Sequence, residues 1–325
     1  MKKNLSFSAS SGVALVVVLW AVTLISAAML GLAALLQRQL GQEVAGLQNG
    51  RAILMAESGI QMALSQEIGQ TDVEQASQQL TEQVRGGWQL NGRQVDVGFS
   101  VQIEEEDGKL NLIYLLRPGN EGLARRILQN LFAGWEVNLS TSQRAIDSLL
   151  DWVDADERTQ PQGAERDDYE KRKMTPPRNG PFERLAELEK VMGWVEMAKE
   201  ASEGSKKIDW RRKFTIYGSG KLCLLRADQD LIEAVLGLAP GTAANFVATR
   251  TGTDGKEGTP DDQANPALLP GVSQDLLEER ATLSGEDLWR VTSTGHVGEA
   301  SRTMVALLSR NPPQVKARWM EDKKR

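Results

Sequence analysis

The chain predicts an α+β protein: an N-terminal helix that crosses a membrane, an antiparallel sheet, and a large all-α domain inserted into that sheet's sequence. Three observations carry this reading. Val13 to Leu36 form a run without a single charge. Apolar residues alternate with polar ones near Val95 to Ile103 and again from Trp289 to Ser309, as strands with one buried face require. Between these segments the apolar spacing is mostly helical.

At 1.5 Å per residue the uncharged run makes a helix of roughly 36 Å, enough to span the ~30 Å hydrocarbon core of a bilayer. Lys2 and Lys3 precede it, which orients its start toward the cytoplasm and residues 37 onward toward the outside. A secretory signal has the same basic start, but its apolar region is only about 7 to 15 residues and ends at a small-residue cleavage site. Here the run is longer and Gly12 stands before it. Two readings remain: an uncleaved anchor, or a prepilin-type leader cut after Gly12 so that the mature chain begins at Val13. Glycine suits such a cut because the backbone can pass close to catalytic groups.

Residues 37 to about 69 continue the helix. Leu40, Val44, Leu47, Leu54, Met62 and Leu64 recur at mostly helical spacing, and Gly41, Gly46, Gly50 and Gly59 make bends plausible. A polar stretch from Gln70 to Arg85 reads as a helical extension. Gly86-Gly87 ends it, and Trp88 to Leu90, Asn91-Gly92 and Arg93 to Glu104 read as a hairpin, since both turn residues tolerate positive φ. From Asp107 to about Arg212 the pattern is helical, through Leu123, Ile127, Leu128 and Leu131, then Ile146, Leu149, Leu150 and Val153, then Leu185, Leu188 and Val191. Strand character returns at Thr215-Ile216-Tyr217 and Leu222 to Leu225, where the one cysteine, Cys223, reads as a buried strand residue. Asp228 to Leu238 and Pro240 to Thr249 read as helices, and Trp289 to Thr294 with Arg302 to Ser309 as a closing hairpin. Pro312-Pro313 is expected to stop the sheet, leaving 313–325 as a flexible tail.

The leader, the helix and the motifs that follow resemble the minor pseudopilin K family of type II secretion. Val17 is the fifth residue after the cut. Most pilins and pseudopilins carry a Glu there, and the K family lacks it. In the relatives that Glu neutralises the terminal amine of a neighbouring subunit; a carboxylate in hydrocarbon is costly unless paired, so a tip subunit is better without one. RAILMAESGIQMAL (51–64) is similar to the family's alanine-rich helix, and Lys109-Leu110-Asn111-Leu112 to its leading strand. DSLLDWVDAD (147–156), Gly163-Ala164-Glu165, Asp167-Asp168-Tyr169 and Pro177 to Phe182 resemble its helix, acidic loop and following segment. The family's Asn-x-Asn-Thr-Ala caps are degenerate here: the chain has Asn111-Leu112-Ile113-Tyr114 and Leu224-Leu225-Arg226-Ala227.

The resemblance implies a pilin-like frame divided as leader 1–12, transmembrane helix 13–36, pilin helix and first strands 37–106, helical insert 107–212 and the rest of the pilin-like domain 213–312. It implies a single-pass inner-membrane protein with a periplasmic body, matured by the prepilin peptidase and methylated. It further implies minor pseudopilins I and J as partners, and a tip role in starting the pseudopilus that supports export across the outer membrane. A minor pilin of a related type IV pilus system is the neighbouring alternative.

Two acidic clusters are candidate calcium sites. Asp254, Glu257, Asp261 and Asp262 share a loop with Gly255 and Gly258, where carboxylate and carbonyl oxygens suit a hard cation. The spacing is not that of an EF-hand, but acidic glycine loops of this sort serve as calcium loops in pseudopilins. A solvated turn is the competing account. Asp151, Asp154, Asp156, Glu165, Asp167 and Asp168 form the second cluster, which capping or pairing with Arg158, Arg166 or Arg172 would also explain.

Removing Lys2 and Lys3 would take the formal charge from −6 to −8, which with the acidic loops argues against a nucleic-acid partner, although the helix pairs resemble helix-hairpin-helix units. His296 is the sole histidine, so a His-based triad or multi-histidine zinc site is not expected. Gly218-Ser219-Gly220-Lys221 lacks P-loop spacing. No catalytic residue is assigned, and a membrane-anchored hydrolase stands as the reading from another class.

Overall fold

The computed structural model describes residues 10–65, 86–90, 93–252, 263–283, 285, 288–310 and 313–321. Helix α1 runs unbroken over Ser10–Ser65, 56 residues or roughly 84 Å at 1.5 Å per residue. The glycines at 41, 46, 50 and 59 do not interrupt it. The first half exposes Leu15, Val17, Trp20, Leu24, Met29 and Leu32 all round, as a helix solvated by lipid does. The second half is one-sided: Ala52, Ala56, Ile60 and Ala63 are buried along one face.

That face lies on a five-stranded antiparallel sheet in the order β1-β2-β7-β8-β9. Its strands are β1 (Gly86–Leu90), β2 (Arg93–Glu105), β7 (Leu288–Val297), β8 (Ala300–Arg310) and β9 (Pro313–Glu321). Register places Val97 opposite Val297 and Ile103 opposite Val291. The inward residues Phe99, Val101, Ile103, Trp289, Val291, Ala306 and Leu308 form one core with Ala56, Ile60 and Ala63. Ala52 meets Val97 and Val297 at the near end. Along α1 away from the apolar run, β2 therefore advances from 97 toward 105, and the chain leaves the sheet at the end farthest from that run.

There it enters a helical body. Strand β3 (Leu110–Asn111) pairs in parallel with β4 (Phe214–Thr215), and β5 (Leu222–Cys223) with β6 (Ala281–Thr282). Between them lie α2 (Leu112–Leu115), α3 (Glu121–Gly134), α4 (Leu139–Val153), α5 (Arg166–Lys171), α6 (Trp194–Glu203), α7 (Gln229–Leu236), α8 (Ala244–Arg250) and α9 (Gln274–Arg280), with 3-10 turns at Leu185–Lys190, Trp210–Arg212 and Pro266–Leu268. Asn111 still caps despite the degenerate motif: its side-chain oxygen accepts the Tyr114 N–H at 3.0 Å. Gly237, at φ +70°, closes α7 in the left-handed conformation that favours glycine. Phe132, Trp135, Trp194, Trp210 and Phe214 pack with ring centroids 5.4–6.1 Å apart at the centre. This apolar cluster continues past residue 212, through Phe214, Leu222, Ile232, Phe246 and Leu269 to Ala281. Much of the sequence expected to return to the pilin-like domain thus packs into the helical body.

The C-terminal expectation is corrected. Pro313 does not end the sheet; it begins β9, the edge strand, where a residue without an N–H is tolerated. Val315 packs against the sheet core and Trp319 stacks on Tyr217 at 5.7 Å, while Lys316 and Arg318 keep the edge charged. The prolines and basic residues mask an alternation of half-buried Val315, Ala317 and Trp319 with exposed Lys316, Arg318 and Met320. Residues 322–325, part of the same expected tail, lie outside the described residues.

The close approach of α1 to the sheet yields a paired prediction. A Cβ at Gly295 would sit 2.1 Å from the Ala52 carbonyl oxygen and 2.4 Å from the Ala56 nitrogen, whereas one at Gly46 would meet nothing within 4 Å. Gly295→Ala is expected to destabilise the detergent-solubilised full chain by about 1–3 kcal/mol, and Gly46→Ala to be neutral or stabilising by up to about 1 kcal/mol. Thermal unfolding of the two variants side by side checks this; equal melting temperatures would contradict the seam.

Candidate functional site

The expected processing residues Gly12 and Val13 fall within α1, and Val17 is 60% exposed on its surface. Asp254, Glu257, Asp261 and Asp262 lie outside the described residues. The second acidic cluster is described in full, and the structure divides it.

Asp151 sits in the last turn of α4 and is completely buried; Asp154 is the C-cap of the same helix. The chain then loops out and returns through Gly163 and Ala164 to Glu165, the N-cap of α5, which is only 4% exposed. One carboxylate oxygen from each of Asp151, Asp154 and Glu165 lies within 4.8 Å of the other two. Asp156 and Asp167 are exposed and outside this group. Asp168 turns away: one oxygen accepts the Glu165 N–H at 3.4 Å and the other faces Lys171 at 3.7 Å. Glycine at 163 is required by packing, because a Cβ there would overlap Asp151 Oδ2 at 1.9 Å.

The surrounding motif residues hold this arrangement. Trp152 packs edge-on against Tyr169 at 5.6 Å and stacks on Phe182 at 6.5 Å. The Tyr169 hydroxyl accepts the Met192 N–H at 2.8 Å, tying α5 to the turn before α6. Asp151 accepts the Gln160 N–H at 3.1 and 3.2 Å. Nearby Asp147, also buried, is neutralised by Arg125. Among the described residues no Lys or Arg forms an ion pair with Asp151, Asp154 or Glu165. Burial pushes the Asp151 carboxyl up to about 7, with Asp154 and Asp147 adding repulsion. Burial likewise raises Glu165 to about 7, with Asp151 and Asp154 contributing. Asp154 is raised by burial and by Asp156.

A second charged assembly, at the junction of sheet and helical body, was missed in the sequence. Glu106, at the end of β2, meets the Lys109 Nζ at 2.7 Å and the Arg290 Nε at 3.1 Å, and accepts the Thr215 hydroxyl. Lys109 and Arg290 also pair with Glu104. Burial would raise the Glu104 carboxyl, but Lys109 and Arg290 outweigh it and hold it below the ordinary value. The acidic run 104–106 at a strand end was the available signal, although its partners are up to 186 residues away. Other candidates resolve as packing. Gly220, at φ +92°, lies so close to Tyr114 that a Cβ would come within 2.2 Å of the ring, and Lys221 donates to the Glu278 carbonyl. Cys223 is buried and free, and His296 stands 3.8 Å from Asp96 on the β2–β7 pair.

The raised carboxyls imply a pH dependence for the cation-free chain. Below pH ~4 the carboxyls are largely protonated in both folded and unfolded chains. From there to about 7 the folded chain keeps protons that the unfolded chain has released. Stability therefore falls as pH rises through this window. In chelator, Asp151→Asn should remove part of the decline in melting temperature between pH 5 and pH 7.5, a change of a few degrees. Superimposable wild-type and variant profiles would refute the assignment.

Residues 108–201, which include the carboxylate cluster, match the family model described as Type II secretion system (T2SS), protein K. Five chains of solved structures match the chain. One belongs to the crystal structure of the GspK-GspI-GspJ complex from the enterotoxigenic Escherichia coli Type 2 Secretion System. It aligns with TM-score 0.54 and 17% identity over 88% of this chain and 99% of that one, a likeness of fold. No curated protein matches. The helical body thus carries the segment that matches protein K of type II secretion, and the chain, with its long helix and sheet, shares the fold of that GspK-GspI-GspJ complex chain.

Proposed function

We propose that this chain is a minor pseudopilin and the tip subunit of a periplasmic pseudopilus, where it starts assembly in the inner membrane and supports protein export. The observation that carries the reading is the position of the helical body: the chain leaves β2 at Glu105 and rejoins the sheet at Leu288, the end farthest along α1 from the apolar run. A bulky domain at that end can be accommodated above the last subunit of a filament but obstructs any subunit stacked on it. Val17 supports the same placement, because a carboxylate in that position would lack a partner amine. The exposed residues Leu40, Leu47 and Leu54 continue the apolar surface of α1 beyond the membrane segment, where helices of neighbouring subunits can pack. Minor pseudopilins I and J are the proposed neighbours, since the solved relative of similar fold is in a GspK-GspI-GspJ complex. The role is structural rather than enzymatic. Co-purification of the full chain with both proposed partners tests the assembly; its absence under conditions that keep those partners together would overturn it.

Processing belongs to this reading. The prepilin peptidase is expected to cut after Gly12, leaving a methylated Val13 and a single-pass anchor with the body in the periplasm. Gly12→Trp should abolish maturation almost completely. Mass analysis that finds Met1 retained in the wild-type protein would sink the leader assignment.

Val17→Glu should leave cleavage intact and impair assembly, because it adds an unpaired carboxylate to the membrane helix. Immunolabelling of assembled fibres checks the tip position: signal at one end is expected, and signal distributed along the length contradicts it. Calcium at Asp254, Glu257, Asp261 and Asp262 is retained as part of the proposal, with binding expected to stabilise the folded body by mass action. Asp254→Ala with Asp261→Ala removes this loop's contribution.

A further inference from the structure

We propose that β9 is a latch that holds the helical body at a set angle to the sheet, and that opening it lets the body swing about the adjoining ends of β2 and β7. The inference does not depend on the tip position.

The molecule has separate apolar cores on either side of the junction. Among the described residues, the cluster that runs through the helical body takes no side chain from the five-stranded sheet, and the clusters between α1 and the sheet take none from the body. The chain passes between the two parts twice, after Glu105 and before Leu288. These crossings leave neighbouring strands, since Glu105 is paired with Trp289. Two parts with separate cores, joined through two adjacent strands, have the geometry of a hinge. The polar contacts of the junction lie on that line. Glu106 holds Lys109, Arg290 and Thr215, Glu105 pairs with Arg226 at 2.9 Å, and Asp107 accepts the Leu288 N–H at 3.2 Å. Contacts on an axis resist separation but have little leverage against rotation about it.

Strand β9 supplies that leverage. It is the second strand beyond β7, about 9–10 Å from it at the usual spacing of strands. Register places Arg318 opposite Ala306, a member of the core under α1, and Trp319 opposite Val305 on the other face of the sheet. Arg318 accordingly turns toward α1 and meets Glu57 at 2.7 Å. Trp319 stacks on Tyr217 of the body, with ring centroids 5.7 Å and planes 28° apart. Tyr217 in turn packs against the body's apolar cluster. One strand thus touches α1 and the body through two successive residues while pairing with β8. It is also suited to release: β9 is an edge strand that begins at a proline, and from Gln314 to Met320 its residues are half-buried or exposed. Opening the latch would bare the Trp319 and Tyr217 rings to solvent and turn the body away from β9.

The test is a distance measurement by pulsed electron paramagnetic resonance on the full chain in detergent. Spin labels are placed at Ser100→Cys on the sheet and Lys199→Cys on the body, both exposed positions, with Cys223→Ala so that no other thiol reacts. With β9 unaltered, one narrow distance distribution is expected. Trp319→Ala should broaden it about twofold or more, as a freed hinge does. Arg318→Ala loosens β9 from α1 but leaves the ring stack in place, so it should not broaden the distribution. Far-UV circular dichroism and cooperative thermal unfolding verify that each variant is folded. An unchanged distribution in folded Trp319→Ala overturns the proposal, as does an equal broadening by Arg318→Ala, which would make β9 a general brace. If Trp319→Ala does not fold, Trp319→Leu, which keeps an apolar side chain but cannot stack, is read by the same criteria. If neither variant folds, β9 belongs to the folding core of the sheet and the latch is overturned.

Discussion

The architecture depends on the seam between α1 and the sheet. Ala52, Ala56 and Ala63 bury small side chains there, with Ile60 as the larger anchor. Gly295 lets the helix backbone approach β7 more closely than any side chain would allow. This contact converts the second half of a helix with an exposed apolar first half into the spine of a folded domain. It also sets direction: because α1 and β2 advance together, whatever follows β2 is carried away from the apolar run. Small residues at this seam determine where the helical body stands.

A compact set of buried charges then holds the body to the sheet. Glu106 is 3% exposed and joins Lys109, Arg290 and Thr215, three residues from three separate elements or turns. Such a network is weak evidence for stability by itself, since desolvation offsets much of the attraction. Its geometric demand is stronger: every donor must return to the same carboxylates for the charges to remain satisfied. Trp319 stacking on Tyr217 supplies an apolar contact between the last strand and the body. The junction is consequently fixed at more than one point.

The carboxylates at the end of α4 contrast with that junction. Glu106 is buried and Glu104 half-buried beside cations, whereas Asp151 and Glu165 are buried beside other acids. The same residue type therefore has opposite titration behaviour in the two places: Glu104 is held down and Glu165 is pushed up. Trp152, Tyr169 and Phe182 enclose the second group and limit its relaxation by moving apart. Tight packing thus maintains a repulsion that an exposed acidic loop would relieve by spreading into water.

Much of the fold was legible because it follows from local pattern. An uncharged run long enough for a bilayer, alternation in β2, β7 and β8, helical spacing in α3 and α4, and Gly237 after α7 each act over a few neighbouring residues. Strand β9 was not legible in that way: its prolines and basic residues read as a stop and a tail, but an edge position beside β8 accommodates both. Of the six acids singled out between 151 and 168, local spacing could not say which would meet, because Glu165 reaches Asp151 only after the loop folds back across Gly163. The partners of Glu106 were equally hidden, being contributed by 109, 215 and 290. The sequence by itself determined the anchor, the element types and the family motifs, since these are set by hydrophobic period and backbone preference. Tertiary structure alone decided which charges are paired and which are left facing one another, because burial and distance between remote residues exist only once the chain has folded.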